Sequence, residues 1–120
     1  MLICRIINIE VVIVNTRKYS SKQEKRVAKD IGGKISSNSG ATRFYKGDIS
    51  TNTMLIECKT KTTTSKSVSI KKEWLDKLKE ERFAMGKSYS SLAFDFGDGE
   101  DYFIIDKKLM QILIETLEEN

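Results

Sequence analysis

Residues 54–61, Met-Leu-Ile-Glu-Cys-Lys-Thr-Lys, run on a two-residue period, and segments on a helical period lie before and after them. That succession restricts the chain to mixed α/β folds. In a strand successive side chains point to opposite faces, so Leu55, Glu57 and Lys59 share one face while Ile56 and Cys58 share the other. Upstream, Glu24, Val27, Ala28 and Ile31 recur at i, i+3, i+4 and i+7, which aligns all four on one side of a helix. That helix is expected to start at Ser20 or Ser21 and to stop at Gly32-Gly33.

The remaining elements follow from the same rules. A strand is expected over Arg43–Ile49, joined through Ser50-Thr51-Asn52 to the strand at Met54–Lys61. A Thr/Ser/Lys-rich loop then leads to a helix over Ser69–Met85, with Ile70, Trp74, Leu75, Leu78 and Phe83 on its buried side. Residues 91–96 and 102–105 read as a hairpin around Gly97-Asp98-Gly99. Asp106 is placed to cap a last helix carrying Leu109, Met110, Leu113, Ile114 and Leu117 as its apolar stripe. Residues 3–14 are rich in β-branched side chains and favour an additional strand, either at a sheet edge or at an oligomer contact. The expected architecture is α/β, a mixed β-sheet flanked by helices, in a single domain over residues 1–120.

Composition narrows the chemistry. The chain contains no histidine, so imidazole bases and the usual zinc ligands are excluded, and any catalysis must rest on carboxylates and lysine. The apolar run at residues 2–14 is broken by Arg5, Asn8 and Glu10 and falls short of the roughly 20 residues that span a bilayer. No membrane association is expected. With two cysteines, too few for a disulfide framework, the expected compartment is the cytoplasm.

A net charge of +4 conceals an asymmetry: residues 1–72 carry 15 Lys or Arg against 5 Asp or Glu, and residues 73–120 carry 6 against 12. A basic excess of this kind suits a phosphate backbone, because bound cations displace condensed counterions. Lys22, Lys25, Arg26, Arg43, Lys46, Lys61, Lys66, Lys71 and Lys72 are the expected DNA-binding side chains. They would hold phosphates without reading bases.

The catalytic candidates lie within this basic part. Phosphodiester hydrolysis calls for a divalent cation held by oxygen ligands, a positioned water, and positive charge where negative charge builds. Asp48 and Glu57 are the candidate carboxylates for Mg²⁺, with Mn²⁺ as the alternative ion. The backbone carbonyl of Cys58 is a further inner ligand, and Lys59 would orient or deprotonate the water. The same residues have plainer readings. Asp48 could be a turn residue after Gly47, Glu57 and Lys59 a strand ion pair, and Ser21-x-x-Glu24 a capping box. Trp74 reads as helix packing rather than a base-stacking platform. The acids from Asp95 to Asp101 lack EF-hand spacing and read as a turn.

Taken together, Glu24 on an early helix, Ser39-Gly40-Ala41, Gly47-Asp48-Ile49 and Leu55-Ile56-Glu57-Cys58-Lys59 resemble the PD-(D/E)xK nuclease superfamily, and within it the archaeal-type and phage Holliday junction resolvases. The resemblance runs over about residues 22–106 and leaves residues 1–18 outside. It implies the restriction-endonuclease-like fold, catalysis by Asp48, Glu57 and Lys59, and Glu24 as a third acid at the metal. It implies Ser39 as a substrate-contacting residue. The proline usual before the aspartate is replaced by Gly47, but the ligand itself is present. The function expected from this resemblance is Mg²⁺-dependent cleavage of branched DNA, such as four-way junctions, by a homodimer of phage or prophage origin. Cleavage of linear duplex, flap or single-stranded ends is the alternative within the same superfamily, and a non-catalytic nucleic-acid-binding module is the alternative outside it.

Overall fold

A computed structural model of the chain describes residues 21–36 and 49–119. The strand expected at residues 3–14, and Ser39, Arg43, Lys46 and Asp48, lie outside the described residues. Within them the chain forms helix α1 over 21–31, then β1 (Lys34–Ile35), β2 (Ile49–Ser50), β3 (Met54–Lys59), α2 (Lys72–Ala84), β4 (Tyr89–Phe94), β5 (Tyr102–Ile104) and α3 (Lys107–Glu118). The five strands form one sheet in the order β1-β2-β3-β4-β5.

The sheet is mixed. β1 pairs antiparallel with β2, β2 with β3, and β4 with β5, while β3 and β4 run parallel from Met54↔Tyr89 to Lys59↔Phe94. Parallel neighbours cannot be joined by a tight turn and need a crossover segment. Helix α2 supplies it, between β3 and β4.

The two-residue period of β3 now has a physical counterpart on each face. Ile56 and Cys58 pack with Val27 and Ala28 of α1 and with Ile49 and Ala93. Leu55 packs with Leu78 of α2 and with Leu92, bordered by Trp74, Leu75 and Met85. Helix α1 therefore covers one face and α2 the other. Glu57 and Lys59, in phase with Leu55, belong to the α2 face.

Helix α1 stops where the glycines require it: Gly32 has φ +72°, a conformation that side-chain-bearing residues rarely adopt, and the Gly33 amide donates to the Ala28 carbonyl. Asp106 caps α3 as expected, its carboxylate accepting from the Leu109 amide at 2.9 Å. Two expectations need correction. Phe83 is 82% exposed rather than buried, because it stands five residues beyond Leu78, roughly 140° around the helix, and Met85 takes the inward position instead. The short strand at Lys34–Ile35 was not anticipated, since two residues carry no readable period. No described helix is long and apolar enough to cross a membrane.

Candidate functional site

Strand β3 sets Glu57 and Lys59 side by side, because residues two apart emerge on the same face. Lys59 Nζ lies 3.5 Å from Glu57 Oε1, with the two side chains 34% and 21% exposed. This is longer than a tight charge-assisted hydrogen bond, which runs to about 2.7–2.9 Å. The carboxylate keeps lone pairs for a further partner, and the ammonium keeps donors.

The ammonium has a second neighbour. Lys59 Nζ stands over the Trp74 ring at 4.6 Å from its centroid, and Lys71 Nζ approaches the same ring at 5.7 Å. Both distances fall within the range in which a cation is attracted by the negative face of an aromatic ring. Trp74 does pack against the α2-side core, but it also holds the candidate catalytic lysine. The sequence signal was present only as a tryptophan on a helix, with nothing to indicate that Lys59 would lie against it.

The same end of β3 is held from the opposite helix. Gln23, 1% exposed on α1, donates its amide to the Lys59 carbonyl at 2.9 Å and, more weakly, to Asp101 at 3.4 Å. Its buried Oε1 meets no donor among the described residues. Gln23 thus fixes the backbone of the residue whose side chain faces Trp74, a role that sequence reasoning missed.

Arg26 is paired within the fold. Its Nε and Nη2 reach Asp101 at 2.6 and 2.7 Å in a fork, and Nη2 also reaches Asp95 at 3.1 Å. Hydrogen bonds to Asp101 first, then the nearby charges of Asp101 and Asp95, raise its pKa above the ordinary guanidinium value, with burial opposing them. Asp95, buried, also accepts from the Thr60 hydroxyl and from the Lys61 and Gly97 amides. The acids of the β4–β5 turn therefore tie α1 to the segment following β3, consistent with a turn rather than a calcium loop.

Among the expected phosphate-binding residues, Lys22, Lys25, Lys66, Lys71 and Lys72 are exposed and Lys61 is half-buried. The structure brings Lys22, Arg26 and Lys61 to one hollow, shared with Thr60, Asp95, Gly97 and Gly99. Lys72 spends its charge on Asp76 at 3.2 Å, one turn along α2.

No family model, no curated protein and no solved structure matches the chain. The site is therefore judged on its own geometry. Among the described residues no three His, Cys, Asp or Glu side chains stand together in a way that could hold a metal ion. Glu24 is half-buried on α1, the helix that covers the face opposite to Glu57. Cys58 is buried in the α1-side core, its side chain turned away from Glu57.

Proposed function

We propose that this chain is a metal-dependent nuclease of the PD-(D/E)xK type acting on branched DNA, with a four-way junction as its substrate. The observation that carries the reading is the Glu57–Lys59 pair: a half-buried carboxylate and an ammonium on one face of β3, 3.5 Å apart, with the ammonium held against Trp74. The five-stranded mixed sheet with helices on both faces supports the restriction-endonuclease-like form of the fold.

The donor chemistry fits a hard cation such as Mg²⁺, which favours carboxylate and carbonyl oxygens. Glu57 offers a carboxylate whose one described contact is loose. Asp48 directly precedes Ile49, and Ile49 is the Cα partner of Ile56, the neighbour of Glu57. Asp48, Glu57 and the Cys58 carbonyl are the proposed ligands, with Glu24 the third acid that the resemblance implies. When bound, the cation polarises the scissile phosphate and lowers the pKa of a coordinated water.

Lys59 orients the attacking water and balances the negative charge that builds on the phosphoryl oxygens, at a position set by Trp74 on one side and by the Gln23-anchored backbone on the other. Lys22 and Lys61, which share one hollow, hold the duplex by its phosphates. A junction needs two related cuts, which two copies of the chain would supply.

The test is cleavage of a labelled four-way junction beside a linear duplex of equal length, with Mg²⁺ or EDTA. Wild type is compared with Asp48→Asn, Glu57→Ala and Lys59→Ala. Paired nicks in the junction that need metal and vanish in all three variants are expected. Equal cutting of the linear duplex would move the substrate to the linear-DNA relatives, and binding without metal-dependent product would leave a non-catalytic module.

A further inference from the structure

Helix α3 is poorly held by its own chain. Of its 12 residues only Leu109 is buried, while Met110, Leu113, Ile114 and Leu117 are 47%, 44%, 50% and 75% exposed. A helix of this length is marginal in water unless an apolar face is packed. Positions 110, 113, 114 and 117 form one stripe, so what lies open is a continuous ridge and not scattered side chains.

Apart from the Asp106 cap, the charges of α3 run against its own dipole. Its first turn holds Lys107 and Lys108 and no acid, and its last turn holds no base but Glu115 and Glu118. A helix N-terminus favours negative side chains and a C-terminus positive ones, so the isolated helix carries its charges at the wrong ends. They are at the right ends for an antiparallel neighbour of the same sequence.

We infer that α3 is a self-association surface, on which a second copy of this chain lays its own α3 antiparallel across a two-fold axis. The stripe is symmetric about the point between residues 113 and 114. Antiparallel pairing sets Met110 against Leu117 of the other copy and Leu113 against Ile114. Lys107 and Glu118 are eleven residues apart, about three turns, and so lie along one flank of the stripe. The two-fold axis keeps that flank on the same side in both copies and brings Lys107 of each beside Glu118 of the other. Neither residue forms an ion pair within the described part of its own chain. One surface thus satisfies the apolar ridge and the inverted charges together, as an isologous contact requires. This inference does not rest on the nuclease reading.

The test is sedimentation equilibrium of the full chain across low to high micromolar concentration. Wild type is expected to dimerise, and Ile114→Glu to remain monomeric with unchanged helix content by circular dichroism. Lys107→Glu and Glu118→Lys each set like charges against one another, and each is expected to weaken the dimer on the order of tenfold. Both substitutions improve the match to the helix dipole, so loss of association would not reflect a weaker helix. An equimolar mixture of the two variants restores opposite charges at both contacts and should dimerise as tightly as wild type. A wild type that stays monomeric throughout overturns the inference, including the case in which another part of the same chain covers α3. So does a dimer indifferent to Ile114→Glu, or a mixture no tighter than either variant alone.

Discussion

The ammonium of Lys59 lies 4.6 Å from the centre of the Trp74 ring, so a residue of the β3 strand and one from the first turns of α2 form a single unit. A cation held on an indole face gains about 0.5–2 kcal/mol depending on its exposure, and phenylalanine retains part of that attraction while leucine retains none. Under the proposed nuclease reading, Trp74→Leu is expected to slow junction cleavage by roughly 5- to 20-fold, and Trp74→Phe by less than half as much on a logarithmic scale. Single-turnover rates at saturating Mg²⁺ check this. Equal rates for the two variants would show that Trp74 acts through packing alone.

Arg26 joins α1 to the turn between β4 and β5 through a fork on Asp101 and a third contact on Asp95. Asp95 keeps the Thr60 hydroxyl and two backbone amides if Arg26 is removed, whereas among the described residues Asp101 keeps only the weak contact from Gln23. Arg26→Ala should therefore cost about 1–3 kcal/mol, mostly from stranding Asp101. Arg26→Lys should recover little, because an ammonium cannot reproduce the fork. Urea midpoints measure both. The guanidinium pKa is raised on folding, so its contribution is complete below the ordinary guanidinium value and lost only as pH rises beyond it. The loss in Arg26→Ala relative to wild type should accordingly show no change, from Arg26 titration, between neutral pH and mild alkali.

How far the sequence could be read depended on whether a feature was local. The Gly32 stop, the Asp106 cap and the alternation of β3 each involve residues a few positions apart, and each is found where expected. Phe83 is apolar and helical but falls on the far side from Leu78, so composition alone does not mark it as exposed. Arg26 looked like one more cation of a basic segment. Its partners are 69 and 75 positions away in the chain, and no periodicity reports a pairing at that distance. The same holds for Trp74 and Lys59, and for Gln23, whose burial opposite the Lys59 carbonyl depends on how α1 lies against the sheet. Of the candidate site, the Glu57–Lys59 pair was legible because a strand fixes residues two apart, while everything that positions it was tertiary.

Gly97 is required by a close approach as well as by its backbone. Its φ is +84°, and a Cβ there would strike the carbonyl group of Thr63 and the Cα of Thr64. The same junction is closed by the Ser65 amide, which donates to the Phe96 carbonyl at 2.8 Å. Gly97→Ala must relieve both the left-handed conformation and a backbone collision, at an expected cost of about 2–4 kcal/mol. Gly99→Ala is the matched control. Its φ is +83°, but the nearest atom to an added Cβ is the tip of Arg26 at 4.0 Å, so it should cost only about 1 kcal/mol. Thermal or urea unfolding of both variants separates conformational strain from collision, and equal losses would place the whole effect in the backbone angle.

Asp106 bears on α3 more than its modest bond suggests. Its carboxylate accepts from the Leu109 amide at 2.9 Å, and Leu109 is the one buried side chain of that helix, so cap and anchor converge on a single residue. With Lys107 and Lys108 next in sequence, the Asp106 carboxylate is also a negative charge at a helix start whose first turn holds no acid. Removing an aspartate cap costs about 1 kcal/mol in most helices. Here the loss should be concentrated in α3, whose remaining contacts are few, and not spread through the sheet. Hydrogen exchange of Asp106→Ala is expected to be faster by about fivefold at the α3 amides, while amides of β3 and β4 exchange as in wild type. Asp106→Asn, which can still accept from the Leu109 amide, should fall close to wild type. Uniform acceleration across β3, β4 and α3 would mean that α3 unfolds only with the whole domain, and that its anchoring is stronger than its single buried leucine implies.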